Sequence, residues 1–211
     1  MDYFFVEREN VGGVNYMTTI GFVRHGITAW NKEGRAQGST DVPLDEEGIQ
    51  MAERVADRLE HEDWDVIYTS PLIRAKRTAE IIAEKQSTLD FHIDKRLGEI
   101  GGGIIEGTTE AERVAKWGFG WRKMELGFEP EDAIISRGMS FIEDVKKAHP
   151  GKRVLVVSHG GFIGRVLKVL VPSDEFIWDI GNTSLTVIEL QDNRNHCLLF
   201  NCMKHLETRE V

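Results

Sequence analysis

Arg153-Val154-Leu155-Val156-Val157-Ser158-His159-Gly160-Gly161 is the stretch that decides the fold. Its β-branched, near-continuous apolar run is what a strand buried on both faces requires, and such strands belong to parallel sheets. The run stops on a turn that carries a histidine and two glycines. Near the start of the chain, Thr18-Thr19-Ile20-Gly21-Phe22-Val23 is a second β-rich run, and it ends on Arg24-His25-Gly26. Two strand ends thus each deliver an imidazole, one with a guanidinium beside it.

Helical spacing fills the intervals. Ile49, Ala52, Ala56 and Leu59 recur between Asp45 and Glu60 with charges among them. Asp65–Thr69 reads as a strand. Ser70-Pro71 follows, predicting a helix with Ser70 as N-cap and Pro71 in its first position, running to about Lys85. That places Arg74 in the first turn, beside the positive end of the helix dipole. Residues 98–108 form a glycine-rich loop. Helical patterns follow over Thr109–Trp117 and Glu131–Ala148, then over Phe162–Val171 up to Pro172. Ser184–Leu190 and Cys197–Cys202 alternate as strands joined by a polar turn over Gln191–Asn195. Strands alternating with helices predict an α/β fold, a three-layer αβα sandwich on a mostly parallel sheet. Ligands of such sheets sit at the carboxyl ends of strands, where both histidine turns fall.

The 211 residues suit one large core, read as a single domain over 17–211 with a helical insert at about 99–150. Residues 1–16 read as an addition in front of it: either Met17 is the true start or the segment is a loosely packed extension. With 41% hydrophobic and 29% charged residues the composition is that of a soluble globular protein. No apolar run approaches a membrane span, and the N-terminus lacks a secretory pattern, so a cytoplasmic location is expected. Cys197 and Cys202, at odd spacing on one strand, predict two reduced thiols on opposite faces. A net charge of −9 disfavours nucleic acid as a partner. An acidic protein that holds an anion must build a locally cationic pocket. An imidazole that attacks, with guanidinium groups that hold charge, suits phosphoryl transfer.

The motifs extend beyond the two turns. Arg24-His25-Gly26-Ile27-Thr28-Ala29-Trp30-Asn31 is followed by Gln37-Gly38 and Asp41-Val42-Pro43-Leu44, then by Ser70-Pro71-Leu72-x-Arg74-Ala75-x-x-Thr78-Ala79. Leu97-x-Glu99, Gly103-x-x-Glu106-Gly107, Val157-Ser158-His159-Gly160-Gly161 and Gly181-Asn182-Thr183-Ser184 complete the series. In these motifs, over about Thr18 to Leu190, the chain resembles the histidine phosphatase superfamily, the phosphoglycerate-mutase-like fold. The Gly101-Gly102-Gly103 run departs from the bulkier residues of the family pattern.

The resemblance implies a metal-independent phosphomonoesterase that takes a small phosphorylated metabolite, needs no cofactor and works through a phosphohistidine at His25. Arg24, Arg74 and a protonated His159 would surround the phosphoryl oxygens, with Asn31, Gln37, Gly38 and Gly160 adding contacts. Glu99 would move the proton, and Glu106 in the same loop is its rival for that part. The remaining histidines, His205 among them, lie outside the motifs and read as solvated. Trp117 and Trp121 sit at helical spacing and read as core rather than as a pocket wall. Gly160-Gly161-x-x-Gly164 lacks the spacing of a dinucleotide turn. Two other functions stay open. A cofactor-dependent phosphoglycerate mutase would resemble the same motifs, but such mutases are longer, with a larger insert after the acid loop. A non-catalytic phospholigand-binding protein would keep the fold alone. No partner besides a small phosphorylated substrate is expected, and the protein is read as a monomer or homodimer.

Overall fold

A computed structural model describes residues 17–86, 89–173, 179–191 and 194–207. The expected extension over 1–16 lies outside them. Six strands form one sheet: β1 (Thr18–Arg24), β2 (Val66–Thr69), β3 (Asp90–Ile93), β4 (Arg153–Ser158), β5 (Leu185–Leu190) and β6 (His196–Cys202), in the order β3-β2-β4-β1-β5-β6. β3, β2, β4 and β1 are parallel, β5 runs antiparallel to β1, and β6 antiparallel to β5. Only β5 therefore opposes the rest.

The alternation of side chains divides the sheet between two helical layers. Ile20 and Phe22 of β1 and Val154 and Val156 of β4 pack against α5 (Glu131–Ala148) and α6 (Gly160–Leu170). Val23, Leu155 and Val157 face α2 (Glu46–Leu59) and α3 (Ile73–Lys85). The expected αβα layering is the observed one. α1 (Ala29–Lys32) is a single turn, and α4 (Glu110–Trp117) opens the insert after the glycine-rich loop. There Trp121 packs with Ile105 and Leu126, and the guanidinium groups of Arg113 and Arg122 both lie against its ring. It lies on a separate 3-10 turn over Trp121–Lys123, so it does not share a helix with Trp117.

Local chemistry explains where the helices begin. Asp45 caps α2 by accepting from the Gly48 N–H at 2.8 Å, and Thr109 closes a capping box with Glu112 at α4. α3 starts at Ile73 rather than at Pro71. Its Ile73 N–H donates to the carboxylate of Asp41 at 2.6 Å, a cap supplied by a distant loop. The Ser70 hydroxyl oxygen accepts from the Leu72 N–H at 3.2 Å, just before the helix, and also meets His159 Nε2. Cys197 packs on the α5/α6 side and Cys202 accepts from Arg58 of α2, so the two free thiols lie on opposite faces. Among the described residues no helix is long and apolar enough to cross a membrane.

Candidate active site

Strand register brings the two histidines together. Arg24 of β1 pairs with Ser158 of β4, so the next residues, His25 and His159, leave adjacent parallel strands at the same level. The His25 N–H donates to Ser158 O at 2.9 Å, and the ring centroids lie 5.1 Å apart. Thr69 of β2 pairs with Val157, which carries Ser70 to the other side of His159. His159 Nε2 meets Ser70 Oγ at 2.8 Å, while its buried Nδ1 has no protein partner.

His25 is buried, and its Nδ1 lies 2.6 Å from Gly26 O. A carbonyl only accepts, so Nδ1 carries the hydrogen and Nε2 keeps its lone pair. Burial, then the positive charges of Arg24 and Arg74, hold this imidazole well below its usual pKa, in the neutral form a nucleophile needs. His159 is depressed too, by burial first and then by His25, Arg74 and Arg24. Arg137 adds to these cations, and burial among them favours the neutral ring where the resemblance implies a protonated one.

Both arginines are fixed by carbonyls. Arg24 donates from Nη1 to Ile180 O at 2.6 Å. Arg74, fully buried, donates to Thr40 O and Gly38 O, each at 2.8 Å. Each guanidinium keeps a buried Nε without a protein partner. Burial lowers both pKa values and the Glu99 charge opposes the shift in each; a guanidinium stays protonated regardless. The fully buried Arg74 and the half-buried Arg24, each with an unmet Nε donor, form the locally cationic site that the overall charge of −9 made necessary.

The two loop carboxylates part company here. Glu106 accepts from Ser39 N, Thr40 N, Thr40 Oγ1 and Gly102 N, at 2.5 to 3.0 Å. Burial pushes its pKa up, but these four donors more than offset that and the net shift is downward. Glu106 is thus a strap between two loops. Glu99 accepts from Gly161 N and Phe162 N at the start of α6, and from Ile100 N. A Cβ at Gly161 would stand 2.7 Å from Glu99 Oε1, and one at Gly160 would stand 3.2 Å from Arg24 Nε. Consecutive glycines therefore let the arginine and the carboxylate lie side by side on the α6 terminus.

The other expected contacts sit further round. Thr28 directs its hydroxyl at Asn31 Oδ1 and Gln37 Oε1, both at 3.1 Å, which turns the oxygen ends of these amides inward to the protein. Gly38 adopts φ 52° and offers Arg74 its carbonyl; a Cβ there would collide with the Glu106 carboxylate. Its role is to seat Arg74. Among the described residues no group of three or more His, Cys, Asp or Glu side chains converges as a metal site would.

Sequence reasoning found the Gly181–Ser184 turn but gave it no role, and it missed His205 behind it. Asn182 Nδ2 donates to His25 O at 2.9 Å, and Thr183 N donates to Arg24 O at 3.0 Å. Thr183 holds a left-handed φ of 54° to do so, and its hydroxyl meets His205 Nε2 at 3.0 Å. His205 is consequently half-buried rather than fully solvated: burial, with Arg58 and Arg54 nearby, lowers it to about 4. No local signal marks it, because its partner is 22 residues away.

Residues 20–203 match the histidine phosphatase superfamily (branch 1), and the chain belongs to that family. Among curated relatives it is similar to phosphoserine phosphatase 1 of Hydrogenobacter thermophilus, 34% identical over 90% of this chain and 95% of the relative. It is equally similar to phosphoglycerate mutase-like protein 4 of Arabidopsis thaliana, 33% identical over 88% and 85%. Among solved structures, a phosphoserine phosphatase from Entamoeba histolytica in complex with 3-phosphoglyceric acid superposes with a TM-score of 0.75. It is 30% identical over 90% of this chain and all of that one. The sandwich described above is accordingly the phosphoglycerate-mutase-like fold.

Proposed function

We propose that this protein is a metal-independent phosphomonoesterase that hydrolyses a small phosphorylated metabolite through a phosphohistidine. The observation that carries the reading is the buried His25 ring, whose Nδ1 is tied to Gly26 O so that the Nε2 lone pair is left to attack, with His159 5.1 Å away and Arg24 and Arg74 each keeping an unmet Nε donor. In the first step the Nε2 lone pair attacks phosphorus and the P–O ester bond breaks. Arg24 and Arg74 hold the charge on the equatorial oxygens, and Glu99 gives its proton to the departing alkoxide. In the second, water attacks phosphorus, yields a proton to Glu99, and the P–N bond breaks to release phosphate and restore His25.

His159 contributes through its unpartnered Nδ1. A phosphoryl dianion brings the negative charge that favours a proton on that ring, so the site becomes more cationic as substrate enters. The Asn31 and Gln37 amides and the Gly160 terminus of α6 line the approach. Relatives bearing phosphatase names, and one structure holding 3-phosphoglyceric acid, support a phosphorylated hydroxy or amino acid as the first substrate to test.

The test is turnover of p-nitrophenyl phosphate in EDTA, beside a panel of phosphorylated metabolites. Hydrolysis is expected, and His25→Ala should lower it at least about a thousandfold with unchanged circular dichroism. The phosphorylated intermediate should be acid-labile and alkali-stable. Interconversion of phosphoglycerates without hydrolysis would replace this reading with a mutase. Ligand binding without turnover would replace it with a non-catalytic phospholigand-binding protein.

A further inference from the structure

Arg137 lies on α5, outside every motif of the chain, yet its guanidinium reaches across to the loop that carries Glu99. Nη1 donates to Arg96 O at 2.5 Å and to Gly98 O at 2.8 Å, and Nη2 to Glu99 O at 3.4 Å. The other edge of the fork pairs with Glu129, Nε to Oε1 at 2.7 Å and Nη2 to Oε2 at 3.0 Å. Glu129 then holds Gly101 by both backbone groups: Gly101 N donates to Oε2 at 3.2 Å, and Glu129 N donates to Gly101 O at 2.9 Å. Leu97 O, between the two carbonyls that Nη1 holds, accepts from Ser158 Oγ at 2.7 Å. Every carbonyl from 96 to 99, and that of 101, is thereby tied to α5, its leading loop or β4.

The reason is physical. This loop has no ladder to satisfy its backbone, and buried peptide groups demand partners. A planar fork with five donors spans several carbonyls at once, which an ammonium does not. The guanidinium is seated on the Phe162 ring, 4.6 Å from its centroid. Phe162 is also the residue whose N–H donates to Glu99 Oε1. Backbone and carboxylate of residue 99 are thus referenced to one aromatic platform.

We infer that Arg137, with Glu129, is a positioning residue for proton transfer: it fixes the Glu99 carboxylate against α6 without touching substrate. The inference rests on Glu99 as the proton donor proposed above. General acid catalysis needs its group within hydrogen-bond reach of the leaving oxygen, so a loosened loop should penalise poor leaving groups selectively.

The test compares kcat/KM for phenyl phosphate and p-nitrophenyl phosphate, which differ in leaving group more than in shape. Their ratio is independent of how much of a preparation is folded. Glu99→Gln should lower the phenyl-to-nitrophenyl ratio roughly tenfold or more. Arg137→Met, which preserves contact with Phe162, should lower it in the same direction, and Arg137→Lys should not restore it. Glu129→Gln loosens the same grip from the far side and keeps the test open if Arg137→Met fails to fold. Adding Arg137→Met to Glu99→Gln should leave the ratio where Glu99→Gln alone put it. Equal losses on both esters in the Arg137 and Glu129 variants, with the Glu99→Gln effect intact, would make the grip merely structural. So would recovery in Arg137→Lys, which would trace the effect to charge near His159. An unchanged ratio in Glu99→Gln itself would remove the proton donor, and this inference with it.

Discussion

At the scale of the residue, two glutamates seven positions apart in one loop acquire different work from their donors alone. Four donors from two loops bind Glu106, whereas Glu99 faces the α6 terminus beside Arg24. Glu106→Ala removes the acceptor of the part-buried Thr40 and Gly102 N–H groups and should cost about 1–3 kcal/mol of stability. It should leave the phenyl-to-nitrophenyl ratio at its wild-type value, in contrast to Glu99→Gln; chemical denaturation and paired kinetics measure the two effects. A ratio that fell in Glu106→Ala would reassign the proton transfer. The same principle explains why both histidine motifs were legible while His205 was not. His25 and His159 announce themselves by neighbours in sequence, His205 only by a partner in space.

At the scale of the element, α6 begins where the chemistry is, and Gly160 and Gly161 are the opening of that helix. Replacing Gly161 by Ala improves helix propensity by up to about 1 kcal/mol. The new methyl would displace the flexible end of Glu99 and press on Ile100, 3.1 Å away, without meeting backbone. Gly161→Ala should therefore keep or raise Tm while reducing kcat/KM for phenyl phosphate about tenfold or more. Calorimetry with kinetics on one preparation checks this, and loss of both together would contradict it. Elements with caps in their own sequence, such as α2 behind Asp45, were readable to within a residue. The start of α3 was misplaced because Asp41, its cap, approaches from another loop. β3 escaped notice: Asp90-Phe91-His92-Ile93 is an edge strand with exposed ends, and an alternation of four residues is too short to stand out.

At the scale of the whole molecule, burying imidazoles has a consequence for stability. His25 and His159 have folded pKa values well below 6.5, and His205 about 4. As pH falls below about 6.5, the unfolded chain takes up protons that the native state refuses. Their stabilisation is thus complete above the unfolded value and is lost as pH falls toward the folded ones. Each fully buried ring contributes at most about 1.4 kcal/mol per pH unit in that window. Tm should drop by several degrees between pH 7 and 5.5, and His25→Asn and His159→Asn should flatten the slope. A Tm that stays level across this range would show that the rings take protons without cost.

The sequence by itself determined the layers, the parallel centre and the identity of the residues that meet: apolar periodicity and strand-end motifs are local, and they survive without coordinates. Tertiary structure alone decided which carboxylate faces Arg24 at the α6 terminus, which rings are buried among cations and what holds the acid loop still. Those properties depend on burial and on donors from distant segments, Arg137 for Glu99, Asp41 for α3 and His205 for Thr183. Charge state and position are set by the space around a side chain, and sequence order does not record that space.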